Sequence, residues 1–328
     1  MMQFIGLDIS KNKCDVCWLK ESETGKRKTK VIKNTQAGHE SLKNWLQATV
    51  KAAPEHMVLI LEPTGVYHES IMYFLHDHGF NILLANPGKA KQYAESINLT
   101  HKTDKSDAFM LANYGCAQQS NLALWQPEAK EIRVLKALLR RLDTLESDRQ
   151  RELNRLDSSE FSLSSERVVL SLKDMICTLE SEIEKLKQDI NNHINGNPQL
   201  KRNRALLESI PGIGPVLSRE LTYLFAAKQF SNARQVGAYA GLIPKLHESG
   251  KLKGRTTLTK TGPAKLRAKL YMAAIVAGRY NVSVRLQKEA LLKRGKTSMQ
   301  VLGANMRKLV QICYGVIKNQ QEYQPQVI

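Results

Sequence analysis

The sequence predicts an α/β domain built on a mixed sheet, followed by an all-α half. The first 125 or so residues place apolar runs of strand length between helical stretches. Beyond them, apolar residues recur at threes and fours with almost no strand pattern. At 328 residues the chain is long enough for two or three domains with real cores. The boundaries that the patterns suggest are 1–125, 126–200 and 201–328.

Three β-like runs open the chain, at Gln3–Ile9, Lys13–Leu19 and Lys28–Ile32, and Glu21–Gly25 supplies the turn between the last two. Gly38 to Ala48 reads as a helix with Leu42, Trp45 and Leu46 on one face. A strand at His56–Leu61, a helix from Val66 to His78 and a strand at Phe80–Ala85 follow. A short helix after Pro87 and a longer one through Asp104–Tyr114 close the unit. The order β-β-β-α-β-α-β-α matches the ribonuclease H-like fold, in which the first strand carries an acid and later elements bring others beside it.

The acids fall where that fold needs them. Asp8 sits among Phe4, Ile5, Leu7 and Ile9, and a strand core tolerates an ionised carboxylate only when something compensates its desolvation. Glu62 ends the apolar run Met57–Leu61, and Asp104 and Asp107 share a helix face three residues apart. Carboxylates so close repel unless a cation lies between them. The four form the hard oxygen set that Mg²⁺ or Mn²⁺ prefers.

Ile132, Leu135, Leu138, Leu142 and Leu145 mark one long helix. A stricter three-and-four seam, Val169, Leu172, Ile176, Leu179, Ile183, Leu186 and Ile190, predicts a coiled-coil arm, paired either within the chain or between subunits. Asn195–Pro198 ends it. Leu206–Pro215, with Ser209-Ile210-Pro211-Gly212-Ile213-Gly214 at its centre, looks like a helix-hairpin-helix turn whose Gly212 and Gly214 let backbone N–H groups approach a phosphate. A loop rich in glycine, hydroxyls and cations follows at His247–Thr257. Helices through Leu270–Ala277 and Val301–Tyr314 finish the chain.

Charge points to the partner. Lys and Arg number 49 against 31 Asp and Glu, a net +18. A surplus of that size predicts a polyanion, because each cation placed on a phosphate releases condensed counterions. Gly212, Gly214, Lys251, Lys253, Arg255 and Lys260 are the candidate nucleic-acid contacts. The five cysteines are odd in number and scattered, and Cys14 and Cys17 lie three apart on a strand, so neither a disulfide framework nor a zinc site is expected. With no signal-peptide core and no long apolar run, the expected location is the cytoplasm.

In Gly6-Leu7-Asp8-Ile9-Ser10-Lys11, Leu61-Glu62-Pro63-Thr64-Gly65 and Lys102-Thr103-Asp104-Lys105-Ser106-Asp107, the chain resembles the DEDD motif of a bacterial transposase family. These are the insertion-sequence recombinases of the IS-one-ten type, relatives of the Piv DNA invertases. Ser209–Gly214, Gly237-Ala238-Tyr239-Ala240-Gly241-Leu242 and Glu248-Ser249-Gly250 are similar to the same family's transposase domain. The resemblance implies a RuvC-like first domain, metal ligation by Asp8, Glu62, Asp104 and Asp107, and a nucleophilic Ser249. It further implies double-stranded donor and target DNA, a bridge RNA that pairs with both, and a homo-oligomer whose subunits share out the active parts. By its own surroundings Ser249 is one of several hydroxyls in a phosphate-binding loop, with Glu248 before it and cations after.

Overall fold

The computed structural model describes residues 2–325 except 23, 64, 98–102, 120–123, 162–164, 246–247, 250–251 and 254–256, and gives 160, 248, 249, 252 and 253 as backbone. The chain forms two compact units, Met1–Pro127 and Glu128–Ile328.

The first unit is built on a mixed sheet of five strands, β1 (Gln3–Ile9), β2 (Lys13–Glu21), β3 (Lys26–Lys33), β4 (Met57–Leu61) and β5 (Asn81–Leu84), in the order β3-β2-β1-β4-β5. Strand β1 pairs antiparallel with β2 and parallel with β4. Alternation along β1 divides the core. Ile5, Leu7 and Ile9 join one apolar cluster with Leu42 and Leu46 of helix α1 (Gln36–Val50) and Ile71 and Leu75 of helix α2 (Glu69–Asp77). Phe4 joins the opposite cluster, with Ala90 of helix α3 (Pro87–Ser96) and Met110, Leu111 and Tyr114 of helix α4 (Asp104–Ala117). A central strand buried on both faces explains its nearly continuous apolar run. This mixed sheet flanked by helices is consistent with a ribonuclease H-like domain. Helix α2 starts three residues later than the pattern predicts, and β4 is preceded by a 3₁₀ turn at Pro54–His56.

The second unit opens with two long helices, α5 (Lys130–Glu160) and α6 (Glu166–Asn195). They run antiparallel, since His193 Nε2 meets the Glu131 carbonyl at 2.8 Å while Arg149 Nε donates to Glu180 at 2.8 Å. The seam expected on α6 therefore meets α5 of the same chain, with Ile183 and Ile190 packed against Leu135, Leu139 and Leu142. Leu139 is buried where Leu138 was expected to be and Leu138 is half-buried. Helices α7 (Pro198–Glu208), α8 (Pro215–Ala227), α9 (Ala233–Tyr239), α10 (Ala264–Tyr280), α11 (Val282–Lys293) and α12 (Ser298–Asn319) surround a core that includes Leu207, Leu221, Leu270, Ala274, Leu309 and Cys313. Sequence patterning missed α11 because Val284 is its one fully buried residue, so it carries no apolar stripe.

Candidate active site

Asp8 stands on β1, one residue beyond the register pair Leu7–Leu61, so Glu62 follows Leu61 on the neighbouring parallel strand. The third and fourth acids arrive on α4. Thr103 caps that helix, accepting from the Ser106 N–H while Ser106 Oγ accepts from the Thr103 N–H, and this box fixes Asp104 and Asp107 in the first turn. Helix α4 lies directly on β1 because Gly6 has no side chain. A Cβ at Gly6 would stand 1.9 Å from the Ala108 carbonyl oxygen and 2.6 Å from the Ala112 nitrogen. The glycine two residues before Asp8 thus sets how near the helical acids come to it.

The outcome is electrostatic crowding around Asp8. Burial, and then the charges of Asp107, Asp104, Asp15 and Glu62, push its carboxyl up to about 6. Asp15 escaped sequence reading. It is the cross-strand partner of Asp8 on β2 and is buried, and the hairpin register between Ile9 and Lys13 is the signal that could have found it. Lys13 answers these charges: its Nζ lies 2.6 Å from Asp104 Oδ2 and 3.0 Å from Asp15 Oδ2. The ammonium holds Asp104 below the ordinary carboxylate range. Among the described residues, no three carboxylate, imidazole or thiol groups close into a ready-made metal cage. The donor chemistry still fits a hard divalent cation, because acids accumulate here until the carboxyl of Asp8 rises to about 6 and a lysine reaches in to Asp104 and Asp15.

Crowding has a measurable effect on stability. Between the ordinary value near 3.8 and about 6, folded protein binds a proton at Asp8 that unfolded protein does not. Stability is therefore lost as pH rises through that window, and the loss is complete above it. The shift corresponds to about 3 kcal/mol before screening, and to about 1 kcal/mol at a half-buried site. In EDTA at pH 8, Asp8→Asn is expected to raise the melting temperature by a few degrees, on the order of 1 kcal/mol. At pH 3.5 the two proteins should melt together, and an equal gap at both pH values would refute the crowding.

The second unit places the other candidates. Strand β6 (Pro244–Lys245) pairs antiparallel with β9 (Thr257–Leu258), and β7 (Glu248–Ser249) pairs with β8 (Leu252–Lys253), Ser249 opposite Leu252. Within the stretch that sequence patterning reads as a loop, the described residues 248–249, 252–253 and 257 are thus laddered backbone. Ser249 and Lys253 lie on it, while His247, Gly250, Lys251 and Arg255 lie outside the described residues. Gly212 and Gly214 part company. Gly212 has φ 105°, and a Cβ there would meet Ala277 Cβ of α10 at 2.7 Å, so its requirement is packing. Gly214 is exposed at the start of α8 with open space beside it. Lys260 is exposed, with φ 54°. Burial pushes the thiols of Cys14 and Cys17 up to about 12 and about 11, which suppresses thiolate chemistry. Burial also raises the Tyr239 phenol.

Two family patterns match this chain, one described as a transposase over residues 5–159 and one as a transposase of the IS116/IS110/IS902 family over residues 204–289. The pilin gene-inverting protein of Moraxella bovis is 32% identical over 331 residues, spanning 99% of this chain and 98% of that one. A probable family 20 transposase of Pseudomonas aeruginosa is 33% identical over 31% of this chain and 30% of its own. The transposase for insertion sequence element IS1328 of Yersinia enterocolitica is 24% identical, covering 60% of this chain and 64% of its own. With acids gathered in one unit, a helical second unit and a full-length relative, the chain belongs to the IS110 family of transposases, enzymes that recombine DNA.

Proposed function

We propose that this protein is a site-specific recombinase of a bacterial mobile element that cuts and rejoins DNA strands through a covalent link to Ser249. The convergence of Asp107, Asp104 and Glu62 on Asp8 carries the reading, since so many acids in one place serve a cation and its phosphate. Asp8, Glu62, Asp104 and Asp107 hold Mg²⁺ or Mn²⁺, which when bound supplies Lewis acidity at the scissile phosphate. Ser249 Oγ gives up its proton and forms a bond to phosphorus. The bond from phosphorus to the leaving strand's oxygen breaks, and that oxygen takes up a proton. Reversal by a new strand's hydroxyl rejoins the DNA without an external energy source.

The nucleic-acid contacts in this reading are Gly212, Gly214, Lys251, Lys253, Arg255 and Lys260. The +18 charge supports a large polyanionic partner, namely donor and target DNA together with a guiding non-coding bridge RNA. We further propose three functional parts, 1–125, 126–200 and 201–328, with α5 and α6 as a coiled-coil arm in a homodimer or homotetramer. A cytoplasmic, nucleoid-associated location fits, and among the described residues no helix is long and apolar enough to cross a membrane. The end-to-end match to an inverting protein supports DNA inversion as a second outcome of the same chemistry.

The direct test uses a DNA substrate whose cut end cannot rejoin. Denaturing electrophoresis and mass mapping are expected to find DNA on the peptide that contains Ser249. Cleavage that leaves no DNA on protein would mean that water attacks, as in a plain metal-dependent nuclease.

A further inference from the structure

The cations of the second unit divide by use. Lys269 Nζ lies 2.6 Å from Glu220 and 3.1 Å from Asp143, and Arg267 donates to the Gly262 carbonyl. These two hold the fold together. Lys260, Arg294, Lys296, Arg307 and Lys308 instead line one concave groove of about 1320 Å³, between the β6–β9 pair and helices α11 and α12. Among the described residues no acidic side chain lines this groove, and none of the five has a carboxylate partner. Like charges gathered around one cavity repel each other, so the site gains most from a ligand of repeated negative charge.

The floor narrows the choice of ligand. Leu258, Leu291 and Met299 are apolar, and Met299 is 67% exposed. A duplex turns phosphates outward and keeps its bases stacked inside, so it has nothing to lay on such a floor. An unpaired strand offers both phosphates and base faces, the combination that single-strand grooves use. One wall, Pro244 with Thr257 and Leu258, belongs to the strands from which the chain enters the β7–β8 pair bearing Ser249. At its edge Lys260 keeps a left-handed backbone that a side chain ordinarily avoids, so the fold carries a lysine here at a conformational cost.

We propose that this groove seats an unpaired DNA strand, with its phosphates on the five cations and its bases on the apolar floor. The choice of DNA rests on the recombinase reading; the groove's preference for an unpaired polyanion does not. Anisotropy titrations of the full-length protein with a labelled 12-nucleotide DNA strand, the matching RNA strand and the 12-base-pair duplex test it. The double variant Arg294→Gln/Arg307→Gln is expected to bind the DNA strand roughly tenfold more weakly and to flatten its salt dependence by about 1.4 in log–log slope. Duplex affinity should change by less than about threefold. Lys260→Gly relieves the left-handed strain, so it should melt no lower than the parent while binding the strand less tightly, which separates lost contacts from lost fold.

Unchanged strand affinity in both variants, equal losses for strand and duplex, or a loss confined to RNA would each overturn the proposal. The adduct experiment fails or succeeds independently. DNA on the Ser249 peptide with normal strand binding by both groove variants would sink the groove alone. Weakened strand binding without any adduct would sink the serine alone.

Discussion

Replacing Gly6 by alanine is expected to cost about 3 kcal/mol or more and to abolish strand cleavage. The added methyl would sit 1.9 Å from the Ala108 carbonyl oxygen, and the obstacle is helix backbone, which cannot rotate aside as a side chain tip would. Overpacking of a tight core ordinarily costs about 1–3 kcal/mol, and contact with the main chain of two successive turns of α4 puts this site at the upper end. Helix α4 must lift from β1, and it carries Asp104 and Asp107. Displacing catalytic groups by about 1 Å is enough for a 100-fold loss, so activity should fall further than stability alone requires. Thermal unfolding and cleavage assays on Gly6→Ala check both. A variant that melts like its parent would show that α4 does not rest on β1 as described.

The same contact shows what sequence reading could and could not reach. Apolar runs around Asp8 and before Glu62 marked buried strands, because a strand covered on both faces has little room for polar residues. The spacing of three between Asp104 and Asp107 marked one face of the helix that bears them. Asp15 and Lys13 stayed hidden, since their roles come from the cross-strand register and not from local composition: Asp8 opposite Asp15, with Lys13 reaching both Asp15 and Asp104. Gly212 looked like a phosphate contact because a glycine in a helix-joining turn has two uses, and only its neighbour Ala277, 65 residues further on, decides for packing. The five cations of the groove were visible as a basic composition. That Lys269 and Arg267 are spent on Asp143, Glu220 and Gly262 while these five line the groove follows from tertiary contacts alone.

Asp8→Asn and Ser249→Ala are each expected to lower strand cleavage by about 1,000-fold or more, for different reasons. The first removes charge from the acid cluster that would hold a cation, so it should also weaken Mn²⁺ binding measured by calorimetry. The second removes the attacking oxygen, so Mn²⁺ binding should stay near that of the parent while protein-linked DNA disappears. The two residues lie in different units of the chain, Met1–Pro127 and Glu128–Ile328, and the homo-oligomer proposed here lets one subunit's serine meet another's acids. Co-refolding the two inactive variants in equal amounts then gives mixed dimers in which one site of two pairs Asp8 of one subunit with Ser249 of its neighbour. Half of the dimers are mixed, so cleavage should return to about a quarter of the parent level. If acids and serine instead act within a single subunit, every site in the mixture lacks one of them and no activity returns. A mixture that stays inactive, beside homogeneous variants that still assemble normally, would exclude the shared site.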